Sequence, residues 1–189
     1  MKSRACLISN FTHLQSHDEQ LLRLGMLAEK YFAEDPNTCL LKLRQLSELL
    51  AQLVASGVGI FDRPDEGQYE LLSRLRDHGV LPPEIYQLFG EVRRTGNAAN
   101  HSLTGDHRTA LAVLKITWQI GIWFHRTFVD PHFKSGPFVP PQPPENETDE
   151  LRTELGALSK ELSEYQTAHH EKAQQLVALE EQLKAARDE

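Results

Sequence analysis

A chain of 189 residues, 40% of them hydrophobic, has room for one packed domain and an appendage. Its net charge of −7 arises entirely in residues 145–189, with twelve acidic and five basic groups, whereas residues 1–144 carry fifteen of each. The neutral body therefore lacks the cationic footprint of a stand-alone DNA-binding module.

The remaining composition points the same way. No apolar run reaches the length of a signal-peptide core or a membrane span, and Cys6 and Cys39 lack metal-ligand spacing. A soluble cytoplasmic protein with free thiols and no membrane contact is expected.

In chain order, Ser16-His17-Asp18-Glu19 reads as a capping box, followed by an apolar face at Leu21, Leu24, Ala28, Tyr31 and Phe32. Asp35-Pro36 suits a cap and first helical position, and Leu40, Leu43, Leu46, Leu50 and Leu53 make a second stripe closed by Gly57. The connection is so short that the two helices are expected to pair antiparallel. Tyr69, Leu72 and Leu75 predict a short third helix stopped by Gly79. Pro83-Glu84 opens a fourth, with Ile85, Leu88, Phe89 and Val92 as its apolar positions. Asp106 suits the cap of a fifth. There Leu111, Leu114, Trp118, Ile122 and His125 share one side, and Ile116, Ile120 and Trp123 widen the surface. A helix apolar most of the way round is expected at the centre, with His125 a hydrogen-bonded core residue.

From Asp130 to Asn146 six prolines preclude helix and predict an extended spacer. Phe133, Phe138 and Val139 are too apolar for a free linker and are expected to lie back on the helical body. Beyond it, Leu151, Leu155, Leu158, Leu162, Tyr165, His169, Lys172, Leu176, Leu179, Leu183 and Ala186 alternate by four and three. That is a coiled-coil seam with a polar interruption, and self-association through residues 151–186 is expected. No stop signal follows Ala186, so a longer parent is expected. The organisation reads as all-α: a compact bundle of about five helices in residues 1–130, a proline-rich linker in 131–146, and a coiled-coil-like helix in 147–189.

The fourth helix runs into the most distinctive stretch, Glu91 to Leu103, EVRRTGNAANHSL. Arg93, Asn97 and His101 recur at four-residue steps, and Arg94 precedes Asn97 by three, so a helix would place the four polar groups on one face. Neighbouring guanidiniums suit a phosphate or a carboxylate. Small Gly96, Ala98 and Ala99 would let another backbone approach. The alternative is a helix end, with Asn100 and Gly105 as terminators, His101 against the dipole, and the Asn97 amide serving a turn after Gly96. Elsewhere no phosphate-cradling GxxxxGK[ST], no HExxH and no GxSxG occurs, Pro64-Asp65 lacks a following ExK, and the histidines are not at metal spacing.

RRTGNAANH resembles the R-x-x-G-N-x-A-x-H signature of the all-helical, HEPN-like domain at the N-terminus of many type I restriction endonuclease R subunits. The opening SNFTHLQ, the stretch AEKYFAEDPNTCLLKLRQLSELLAQ, the aromatic IWFHRTF and the proline linker follow in the same order, most like the K-type enterobacterial enzymes. The resemblance implies a non-catalytic module that docks subunits or positions DNA. Its parent would translocate and cleave unmodified DNA with ATP and magnesium, in complex with modification and specificity subunits. A ribonuclease of HEPN type, using Arg94 and His101 and joined by the tail, is the alternative. Gly96 before Asn97 and Thr95 after Arg94 depart from that catalytic pattern.

Overall fold

Aspartates at three positions decide where helices begin. Asp18 accepts from the Gln20 N–H at 2.7 Å, Asp35 from Thr38 at 3.0 Å, and Asp106 from Thr109 at 2.6 Å, each satisfying a donor that the first turn leaves free. A computed structural model describes residues 9–61, 66–101 and 105–142, the side chain of His101 excepted, and residues 156, 157, 159 and 160. Among them are five α-helices: α1 (Glu19–Tyr31), α2 (Pro36–Gly57), α3 (Gln68–Asp77), α4 (Pro83–His101) and α5 (His107–Phe128). A 3-10 turn at Thr12–Ser16 precedes them, and no strand occurs among the described residues. The first cap stands two places beyond the Ser16 expected from the capping box. Ser16 ends the 3-10 turn, bonding the His13 carbonyl, and Asp18 takes over as cap.

α2 is the hub, packing against α1, α3, α4 and α5. The expectation that α5 is the central helix is corrected to that extent: α5 packs against α2, α4 and the 3-10 turn. The reason lies in the small residues of α2. Ser47, Ala51 and Ala55 are fully buried beside Leu40, Leu43, Leu46, Leu50 and Val54, so the covered surface is wider than the leucine stripe alone, and Leu53 falls outside it. Neighbours can approach on more than one side because those positions occupy little volume. The core is completed by Phe11, Leu14, Leu21, Phe32, Leu71, Leu72, Leu75 and Phe89. Cys39, a free thiol, is pushed up to about 12 by burial, with Glu29 and Asp35 adding to the effect.

After α5 the proline-rich segment turns back over the body, as its aromatic content predicts. The Phe133 ring lies 4.4 Å from the His125 ring, and Phe138 lies 5.5 Å from Trp118. Val139 exchanges two hydrogen bonds of 2.8 Å with the Asn10 side-chain amide, N–H to Oδ1 and carbonyl from Nδ2. The chain divides into two units, residues 1–144 and 145–189. In the second, Gly156, Ala157, Ser159 and Lys160 are helical, and the rest of the expected coiled coil lies outside the described residues.

Candidate functional site

Helix α4 continues without a break through Arg93, Arg94, Gly96 and Asn97 to His101. The expected turn after Gly96-Asn97 is therefore absent: Gly96 is a helical residue whose missing side chain has another use. A Cβ there would stand 2.6 Å from Arg44 Cβ and 2.9 Å from Arg44 Cδ. The Arg44 stem lies across the glycine, bringing α4 against α2. Just beyond the helix, the Gly105 N–H donates to Asn37 Oδ1 at 2.9 Å, tying the exit of α4 to the start of α2. The two helices thus run antiparallel. Arg44 joins the stretch from another helix, and no periodicity in α2 singles it out.

The four predicted polar residues separate along α4. Side chains of a helix lean toward its N-terminus. Accordingly Arg93 and Arg94 line a cleft with Tyr69, Leu72, Tyr86, Gln87 and Gly90, about 120 Å³ in volume, which Asn97 does not line. Asn97 is half-buried one turn further on, and the side chain of His101 lies outside the described residues.

The two arginines differ in state. Arg94 is exposed and held by Glu91 at 2.6 Å, a surface pair worth less than about 1 kcal/mol. The Arg93 guanidinium carbon lies 5.1 Å from the centroid of the Tyr69 ring. Its Nε is buried with no hydrogen-bond partner among the described residues, and so is that of Arg44. On the facing α3, Arg74 pairs with Glu66, while Arg76 pairs with Asp77 and lies 4.8 Å from the Tyr86 ring centroid. Among the described arginines of this cleft, Arg93 is the one whose donors have no carboxylate. A guanidinium backed by an aromatic ring and free to donate is built to accept a planar or tetrahedral oxyanion.

Tyr69 corrects an expectation. Placed by spacing on the apolar face of α3, it is 54% exposed and serves as the platform for Arg93. The preceding residue explains this, since Gln68 is buried and donates to Ser47 Oγ at 3.1 Å, turning Tyr69 outward. His125 is 8% exposed and bonded through Nδ1 to His17 Nε2 at 3.1 Å, as a core histidine should be. Among the described residues no group of three or more His, Cys, Asp or Glu is arranged to hold a metal ion, and no helix is long and apolar enough to cross a membrane.

No protein-family model matches the chain, and no solved structure matches it significantly. Over 176 residues, 90% of its length, it is 30% identical to the endonuclease subunit of the type I restriction enzyme EcoKI from Escherichia coli (strain K12). It spans 15% of that protein's length. An alignment of that extent takes in the arginine-bearing α4.

Proposed function

We propose that this chain is a non-catalytic, HEPN-like helical module of a type I restriction endonuclease R subunit, acting in subunit docking or DNA positioning in the cytoplasm. The observation that carries this reading is the similarity to the EcoKI endonuclease subunit along 90% of the chain. The site chemistry agrees with it. Arg93 and Arg94 sit on one helix at a cleft edge, and Arg93 retains free donors over the Tyr69 ring. A phosphate or a carboxylate of a partner would satisfy them. ATP and magnesium serve the motor and nuclease of the parent. The partners are the modification and specificity subunits, with DNA reached through the parent, and the heptad seam of residues 151–186 supplies self-association.

The geometry favours binding over catalysis. General acid–base cleavage of RNA needs an imidazole and a cation converging on one phosphate. Here the Arg94 head is engaged by Glu91, and the arginine cleft lies toward the start of α4, away from His101 at its end. The purified 189-residue chain is therefore expected to leave plasmid DNA, single-stranded RNA and ATP intact in the presence of magnesium. Plasmid or ATP turnover abolished by a point change in the chain would overturn the module reading. RNA cleavage abolished by His101→Ala would establish the ribonuclease instead.

A further inference from the structure

Three histidines meet at the seam between the 3-10 turn and α5. His13 and His17 come from the turn and its exit, one helical turn apart, and His125 from the last turns of α5. The His17 and His125 rings stand at 82° with centroids 5.1 Å apart, joined by the Nε2 to Nδ1 contact of 3.1 Å. The His13 ring meets that of His125 edge-on at 5.9 Å. His13 packs closely over Gly121 of α5, where a Cβ would stand 3.1 Å from His13 Nε2.

Phe133 of the returning segment closes the cluster. Its ring lies 4.4 Å from His125 and 5.5 Å from His13, and its carbonyl accepts from Arg126 Nε at 2.9 Å. The same segment is fastened further along by Trp118 under Phe138 and by Asn10 at Val139. Asn10 is itself oriented by Glu29, whose Oε1 accepts from both its backbone N–H and its Nδ2.

We propose that His13, His17 and His125 form an acid-sensitive latch that holds residues 130–142 on the helical body through Phe133. The His17–His125 contact needs one ring nitrogen to donate and the other to accept, so the pair tolerates one added proton and not two. A charged His13 would put a second cation against the pair in a half-buried site. Burial accordingly lowers the His13 imidazole to about 4, with His125 the next cause, and lowers His17 for the same two reasons in the same order.

The charged neighbours do not relieve that crowding. From the turn there is Asp18, engaged by Gln20; from α1, Glu29, engaged by Asn10; from α5, Arg126, engaged by Phe133. From the returning segment come His132, Lys134 and Asp130, whose carboxylate accepts from the His132 N–H. No carboxylate among the described residues lies within ion-pair distance of the three imidazoles. As the cluster charges, Phe133 loses its seat, and the segment is released while α2 and its partners stay packed.

Amide hydrogen exchange on the 189-residue chain, corrected for intrinsic pH dependence, tests this. The Val139 N–H reports the fastening, and buried amides of α2 report the bundle. From about pH 7 to about pH 5 the Val139 protection factor should fall about tenfold or more, with α2 unchanged. The combined change His13→Phe and His125→Phe keeps aromatic contacts to Phe133 and should shrink the fall at least severalfold. Should that variant not fold, His17→Gln alone should shrink the fall at least severalfold. Val139 protection equal at both pH values would overturn the latch. So would loss of α2 protection together with that of Val139, or a wild-type fall retained in the substituted chains.

Discussion

The α2–α4 seam and the seam between the 3-10 turn and α5 are each closed by a helical glycine beneath a long basic side chain. At the first, the absent Cβ of Gly96 would meet Arg44 Cβ at 2.6 Å; at the second, that of Gly121 would meet His13 Nε2 at 3.1 Å and Leu14 Cδ1 at 3.3 Å. The difference is where along the neighbour the contact falls. A Cβ is fixed by its backbone, whereas a ring nitrogen or a leucine methyl moves with a small rotation. The chemistry differs too: guanidiniums stay charged throughout the range in which proteins fold, and imidazoles titrate within it. The first seam is therefore intolerant of volume and indifferent to pH. The second accommodates volume and responds to acid.

The largest effect should follow Gly96→Ala. Helix propensity favours alanine by up to about 1 kcal/mol, but the added carbon forces α2 and α4 apart, and overpacking of this kind costs about 1–3 kcal/mol. Chemical denaturation should show a net loss of stability. A melting midpoint at or above that of the parent would mean that Arg44 and Gly96 do not set the helix spacing.

Acidification should produce the next effect, in the other seam. His13 and His17 have folded values below 6.5, so the unfolded chain binds more protons than the folded one between the two values. Stability is complete above about 6.5 and falls as pH drops from there toward about 4, where His13 titrates. Asp35 acts in a lower window, because the Thr38 hydroxyl and N–H hold its carboxyl below 3.8. Its contribution is present above that value and lost as pH falls through the depressed one. Melting curves at steps between pH 7 and 5 should slope in the parent and slope less in His13→Phe with His125→Phe, where His17 alone remains.

Gly121→Ala should be milder than Gly96→Ala, within about 1 kcal/mol of the parent, since His13 and Leu14 can give way while the helix gains propensity. Equal costs at the two glycines would erase the distinction between the seams.

What the sequence made legible follows from which interactions are local. Asp35, Pro36, Pro83 and Asp106 act within one turn, and each helix start they mark stands where it was expected. The leucine stripes of α1 and α2 are likewise local periodicities, and packing buries their leucines apart from Leu53. Three things depended on partners far along the chain. Gly96 was legible as a place of close approach, but Arg44, the residue that uses it, lies 52 positions earlier and no local pattern names it. Tyr69 passed for a core residue until Gln68 found Ser47 on α2. The meeting of His13 and His17 with His125 spans more than 100 positions and leaves no spacing pattern. Of the candidate site, the arginines and their helix were readable, and the aromatic platform and the α2 contribution were not.

The most direct test of the proposed docking role is the double change Arg93→Ala with Arg94→Ala, made in the full-length subunit that this proposal implies. Arg94 is exposed and Arg93 rests on an exposed ring, so stability of the helical module should stay within about 0.5 kcal/mol of the parent. Binding to the modification and specificity subunits, or to DNA in the assembled complex, should weaken in a salt-sensitive way, with restriction of unmodified DNA falling alongside. Unchanged binding and unchanged restriction in a folded double variant would contradict the account and leave α4 with a purely structural role.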